Sequence, residues 1–230
     1  MLITAIRTLI SGGRISFLDV LAQVVSVLFV IFCILPLHEL AHAWVANKLG
    51  DPTAKYSGRI TFNPLASVDP MGAMMLLLVG FGWAKPVPVN PNYFKKPKRD
   101  MALTALAGPM ANLLSAFVGA VLYLAVIFYM PSGAPTRFLS VMLSYYVAVN
   151  VSLAVFNFIP IPPLDGSRIL GAFLSDRLLA KYYSYQSMLS MLLMIMLVTG
   201  ALSGPLATVQ NFFLNLIVQA AFFPFRFFLG

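Results

Sequence analysis

Charge is scarce in this chain: of its 230 residues only 10% are Asp, Glu, Lys or Arg, while 60% are hydrophobic. Ordinary soluble domains carry about 25% charged residues, so a water-solvated globular fold is excluded. Acid is scarcer still, with seven Asp and Glu against 15 Lys and Arg. Cysteine occurs once, as Cys33, which excludes an internal disulfide and any metal cluster built on thiolates. Histidine occurs twice, as His38 and His42, and glutamate once, as Glu39. No polar stretch is long enough to fold separately, no transporter-like internal repeat is visible, and nothing reads as a cleaved signal peptide. The expectation is one membrane-embedded domain over residues 1–230, its chemistry confined to 18–175.

What is present in quantity is long apolar sequence. A run from about 17 to 46 exceeds the roughly 20 residues that a spanning helix needs. Further runs lie near 101–130, 137–159 and 178–200, and a last one at 205–228 is broken by Pro224. Residues 1–17, with Arg7 and Arg14 among apolar neighbours, read as an amphipathic interfacial segment. The stretch 70–83 (PMGAMMLLLVGFGW) is apolar but too short to span and reads as re-entrant. Beside it, YSGRITFNP and AKPVPVNP alternate and carry β-branched residues and prolines, the pattern of short edge strands. The predicted fold class is an all-α polytopic membrane protein of about five to six transmembrane helices, with a short re-entrant segment and small β-strands on the cytoplasmic side.

The net charge of +8 does not mark a nucleic-acid binder, because the basic residues flank apolar runs, where they set orientation. Eight Lys and Arg fall within 48–100, one within 131–137, three within 160–181 and none within 201–204. Basic connections alternate with neutral ones, which places 48–100 and 160–181 in the cytoplasm and the amino terminus outside. Lys95, Lys96, Lys98 and Arg99 are a topology anchor first and a lipid-headgroup site second. Trp44 and Trp83 are candidate interfacial anchors.

The sequence LPLHELAHAW puts both histidines and the sole glutamate at the end of the first apolar run. Residues four apart share one face of a helix, so both imidazoles can reach one metal ion, with Glu39 placed to take a proton from water. Two histidines placed at random fall four apart roughly once in a hundred arrangements, and the adjoining glutamate makes coincidence far rarer. Ionisable groups within a membrane helix are expensive and mark function. The plain alternative is a hydrogen-bonded helix end near the interface. Catalytic zinc takes three protein ligands and leaves a position for water, so an aspartate or Cys33 must complete the set. Asp165, in the proline-rich NFIPIPPLDGSRIL, is the first candidate, because irregular backbone at membrane depth needs a wet or protein-lined cavity. Asp69 in SVDPMG is the second, though a capping role suits it better. Cys33 reads as a small buried hydrophobe, and Asp51, Asp100 and Asp176 as solvated surface residues.

HELAH in a membrane helix, followed by AGPMAN and NFIPIPPLDG, resembles the site-2 proteases, which are intramembrane zinc metalloproteases. GRITFNPLASVDPMG and GFGWAKPVPVNP extend the similarity to a compact bacterial and archaeal subgroup without PDZ or CBS domains. The resemblance implies one zinc ion per chain held by His38, His42 and Asp165, with Glu39 as catalytic base. It places Asn157 at the substrate or oxyanion, and Gly108, Pro109 and Asn112 close to the zinc helix, Asn112 being a further candidate for the substrate. Ser67 stands where the subgroup often has histidine. An extended strand at 87–90, with Val87 and Val89, is a candidate for holding an unwound substrate by edge pairing. The partners implied are a single-span membrane-protein substrate and the lipid bilayer of a prokaryotic cell membrane, with the active site nearer the cytoplasm. A metal-binding membrane transporter and a proteolytically silent membrane-protein binder are the alternatives, and oligomeric state is not legible.

Overall fold

The computed structural model describes residues 24–25, 28–79 and 82–225. The expected interfacial segment 1–17 and the start of the first apolar run lie outside them. The first helix opens with a π-turn at Val30–Ile34 and continues as α1, Leu35–Lys48. Pro36 accounts for the π register. It has no N–H for the Phe32 carbonyl and its ring crowds that carbonyl, and the backbone closes instead from Leu35 N–H to Val30 O. Three short helices follow: α2 (Thr53–Tyr56), α3 (Pro64–Ser67) and α4 (Pro70–Val79). After a 3₁₀ turn at Pro91–Tyr93 come two long helices, α5 (Pro97–Tyr129) and α6 (Ala134–Asn157). Then follow α7 (Asp165–Gly171), α8 (Asp176–Ser184), α9 (Gln186–Val198) and α10 (Ser203–Phe222), and a 3₁₀ turn at Phe223–Phe225 closes the described residues.

Among the described residues, four helices are long and apolar enough to cross a membrane: Val30–Lys48, Pro97–Tyr129, Ala134–Asn157 and Ser203–Phe225. The chain is thus a polytopic membrane protein. The apolar run expected near 178–200 is not one span. It divides at Tyr185 into α8, which carries Asp176, Arg177 and Lys181 and is capped by the Ser175 hydroxyl, and the 13-residue α9. At 1.5 Å per residue α9 covers about 20 Å, short of a hydrocarbon core of about 30 Å.

The small strands are also absent among the described residues, where the only β pairing is an isolated antiparallel bridge between Val68 and Ala84. Pro86, Pro88 and Pro91 remove the amide donors that a ladder along 84–91 would need. Arg59 stands in for the missing strand: its guanidinium donates to Ala66 O, to Lys85 O at 3.1 Å and to Pro86 O at 2.6 Å. The segment 85–90 is therefore extended but held from one side by a side chain.

The main core forms where α5, α6 and α10 meet, around Ala116, Ala120, Val147, Val151, Val155, Ile217 and Ala221. Small residues let α5 and α6 close up. A Cβ on Gly119 would lie 2.6 Å from Cδ1 of Tyr146, so a side chain there would push the pair apart. Large apolar residues such as Leu114, Val118, Leu122 and Phe212 remain on the outer faces, as suits helices solvated by lipid. The carboxyl end of α1, the amino end of α5 and the carboxyl end of α6 gather at one end of the molecule, and the candidate site lies there.

Candidate metal centre

Helical spacing brings His38 and His42 together on α1, both buried, with ring centroids 4.6 Å apart and Nε2 atoms 3.0 Å apart. Asp165, the first residue of α7, completes a triangle: its Oδ2 lies 3.3 Å from His38 Nε2 and 3.2 Å from His42 Nε2. Among the described residues these three side chains form the group able to share a metal ion. A tetrahedral ion with bonds of about 2.0–2.1 Å holds its ligands roughly 3.3 Å apart, so the triangle fits zinc without rearrangement. Two imidazoles and a carboxylate are also a donor set that zinc accepts.

The hydrogen bonding makes the same demand. His42 Nδ1 lies 2.7 Å from the carbonyl of Thr104. A carbonyl only accepts, so Nδ1 carries the proton and the Nε2 of the neutral ring turns a lone pair towards Asp165 Oδ2. Two acceptors facing each other in a buried place require a cation between them. A backbone carbonyl on the outer ring nitrogen is the usual device for orienting a metal-binding imidazole. His38 lacks one: its Nδ1 is buried with no hydrogen-bond partner among the described residues. Asp165 Oδ2 is itself buried without a hydrogen-bond partner among the described residues, as a metal-ligand atom awaiting its ion would be.

The wall behind the imidazoles is α5. A Cβ on Gly108 would fall 2.3 Å from His42 Nε2 and 2.6 Å from His38 Cε1, so only glycine leaves room for both rings. Asp165 is positioned differently, through the loop 158–164. The Cβ of any residue replacing Gly166 would meet the carbonyls of Phe158 and Ile159 at 2.4 Å, so α7 begins pressed against the end of α6. Tyr182 on α8 donates to Pro160 O at 2.8 Å and Ser190 on α9 donates to Pro162 O, also at 2.8 Å. The two hydroxyls brace a loop whose own prolines cannot donate.

These groups open into a cavity of about 370 Å³ that Glu39, Asn157, Val87, Val89, Trp83 and Arg168 also line. Asn157 spends one amide N–H on Leu153 O at 3.0 Å and keeps the other. Val87 is buried against Ala43 and Ala54, with Val89 packed beside it. Lys85 N–H donates to Ser67 O at 2.8 Å and Asn90 N–H to Asp51 Oδ2 at 2.7 Å, so the segment is tied at both ends. Between those ties, the backbone amides and carbonyls of Val87 and Val89 make no hydrogen bond among the described residues.

Other candidates lie elsewhere. Asn112 is 1% exposed and does not line the cavity; it shares a face of α5 with Thr104 and Gly108, and both polar atoms of its amide are without partners among the described residues. Asp69 accepts from Gly72 N–H at 2.8 Å and caps α4. Cys33 is exposed on the π-turn rather than buried. Asp51 and Asp100 are buried, not solvated: Asp51 also accepts from Thr53, and Asp100 accepts from Lys96 N–H at 2.9 Å. Thr104, Arg59, Tyr182 and Ser190 carry no signal in the sequence, since each acts through a backbone carbonyl.

Known proteins resemble this chain. The model of peptidase family M50 matches residues 124–202, which include Asn157 and Asp165. YwhC of Bacillus subtilis is 41% identical over 165 residues, 71% of this chain and 75% of that protein. Rip2 of Mycolicibacterium smegmatis is 32% identical over 138 residues, 56% of this chain and half of its own length. MJ0611 of Methanocaldococcus jannaschii is 29% identical over 141 residues, 58% of this chain and 62% of its own. All three bear the provisional name of zinc metalloprotease. No solved structure matches the chain. With YwhC aligned over three quarters of its length and the family's own pattern spanning Asn157 to Asp165, the chain belongs to peptidase family M50, the site-2 proteases.

Proposed function

We propose that this protein is an intramembrane zinc metalloprotease that hydrolyses peptide bonds within or near the transmembrane segments of single-span membrane proteins. The observation that carries the reading is the convergence of His38, His42 and Asp165, with donor atoms 3.0–3.3 Å apart, in a cavity that also holds Glu39. Zinc, one per chain, supplies when bound a Lewis acid that activates water and polarises the scissile carbonyl. Glu39 takes the proton of the attacking water and returns it to the leaving amine. The Thr104 carbonyl keeps the proton of His42 on Nδ1, so Nε2 stays free to ligate. The remaining amide N–H of Asn157 is the donor for the developing oxyanion.

A substrate helix shields its own peptide bonds, so it must unwind before it is cut. The unpaired backbone of Val87 and Val89, bordering the same cavity, offers hydrogen bonds to an extended peptide by strand addition. Replacing either valine by proline removes one of those donors, and cleavage falls while zinc is retained. The basic residues Lys48, Lys95, Lys96, Lys98, Arg99 and Arg168 lie on the segments that meet at the site's end of the molecule, which supports a cytoplasmic site in the plasma membrane of a prokaryote. On this reading residues 1–230 act as one membrane-embedded unit, with no role for nucleic acid.

Glu39→Gln tests the proposal. The variant, co-expressed with a single-span substrate, should leave it intact while purified protein still holds one zinc per chain. Cleavage at the wild-type rate by that variant, or a wild-type protein without zinc, would overturn it.

A further inference from the structure

A second and larger hollow, sharing no lining residue with the catalytic cavity, lies between the amino-terminal turns of α5 and the carboxyl end of α7. Its volume is about 840 Å³. The floor is apolar, made by Leu103 and Leu106 of α5, Ile169 of α7, and Ala172 and the exposed Phe173 just beyond it. The rim is cationic, with Lys96, Lys98 and Arg99 against a single acid, Asp176, which leaves three positive charges less one negative, or two net.

The rim's charges are not equally free. Lys98 is committed: its Nζ lies 2.6 Å from Asp176 Oδ1 and 2.8 Å from Leu174 O, which ties α5 to the start of α8. Asp100 faces inward and is buried, accepting from the backbone of Lys96, so it does not neutralise the rim. Lys96 and Arg99 are exposed, and neither side chain has an ion pair or hydrogen bond among the described residues. Two unpaired cations stand above an apolar floor.

The position of the groove identifies its occupant. Four of the five residues Lys95–Arg99 are basic, and after Asp100 no charged residue occurs until Arg137. The boundary between headgroups and hydrocarbon therefore crosses α5 within the groove, between Arg99 and Leu106. A ligand that places a phosphate against two cations and a chain along Leu103, Leu106 and Ile169 matches both parts, whereas an acidic peptide would leave the apolar floor unfilled. We propose that this groove binds an anionic phospholipid, its phosphate paired with Lys96 and Arg99 and an acyl chain lying between α5 and α7. The binding itself does not depend on the metal site, since none of these residues lines the catalytic cavity.

The test uses the full chain, purified in a nonionic detergent and delipidated. Native mass spectrometry then follows titration with phosphatidylglycerol or phosphatidylcholine. The wild type should take up one phosphatidylglycerol selectively. Lys96→Ala with Arg99→Ala should weaken this about 30-fold. Ala102 also lines the groove, and Ala102→Trp, which fills the floor and leaves every cation in place, should also block it; circular dichroism and a monodisperse elution profile check that each variant is folded. Equal uptake of the two lipids, or unchanged binding by the double variant, would overturn the proposal. So would displacement of the lipid by millimolar glycerol phosphate, which would reduce the site to one for free anions.

Discussion

His38 and His42 stand on one face of α1 because four residues make just over one helical turn, whereas Asp165 stands opposite them because a loop of three prolines is braced from outside. The first arrangement is local and needs only an intact helix. The second depends on Tyr182 and Ser190, which lie 17 and 25 residues beyond Asp165 and hold the carbonyls of Pro160 and Pro162. One half of the centre is therefore built into secondary structure, and the other is assembled by tertiary contacts. Such a centre should fail in two ways: α1 by losing a ligand or being pushed aside, and α7 by drifting.

The largest effects come from removing a ligand on either side. Asp165→Ala and His42→Ala should each reduce zinc affinity by more than about 100-fold, beyond the 10- to 100-fold that loss of an orienting partner costs. Metal analysis after dialysis against a weak chelator reads this directly. If Asp165→Ala alone kept full zinc, the tertiary half would not belong to the centre.

The two glycines sharpen the comparison next. Gly108→Ala drives a methyl group into both imidazoles, with approaches of 2.3 and 2.6 Å, while Gly166→Ala drives one into the carbonyls of Phe158 and Ile159 at 2.4 Å. Overpacking of this kind costs about 1–3 kcal/mol. Gly108→Ala should displace the helical ligands and lower zinc affinity about 10- to 100-fold. Gly166→Ala should unseat α7 and lower the thermal midpoint as well, because backbone rather than side chain must give way. Equal melting curves for the two variants would contradict that distinction.

Bracing predicts a smaller effect confined to one half. Tyr182→Phe and Ser190→Ala each delete one hydrogen bond to the proline loop, worth about 0.5–1.5 kcal/mol. Zinc affinity should fall by roughly 2- to 12-fold in each, and adding Asp165→Ala should make either loss invisible, since the braced residue is then gone. Chelator competition on single and double variants measures the coupling.

The same contrast explains how much was legible in the sequence. The pair of histidines, the glutamate between them and the long spans near 101–130 and 137–159 follow from helical period and hydropathy, both local properties. Asp165 could be reached only by weighing the few aspartates and by family resemblance, because nothing in its own neighbourhood specifies a distance to α1. The expected strands failed for a non-local reason: Arg59, some 27 residues away, supplies the hydrogen bonds that a paired strand would have made. The break at Tyr185 was hidden because α8 and α9 read together as one apolar run, although α8 turns a charged face outward. Burial of Asp51 and Asp100 was equally unreadable, since all their partners but the Thr53 hydroxyl are backbone amides that every residue type but proline carries.

The smallest effect expected is at Thr104, and its smallness is informative. The contact to His42 is made by the backbone carbonyl, at 2.7 Å, and the hydroxyl is turned away to bond Asp100 O at 2.8 Å within α5. Thr104→Ala keeps the carbonyl and the helix, so zinc affinity should stay within about 2-fold of wild type, even though the residue is fully buried beside the centre. Stability should fall by about 1 kcal/mol for the lost hydroxyl bond and methyl group. A tenfold loss of zinc at that position, measured by chelator competition on folded protein, would mean that the hydroxyl sets the carbonyl's aim. The helical half of the centre would then rest on a side-chain contact, as the α7 half does.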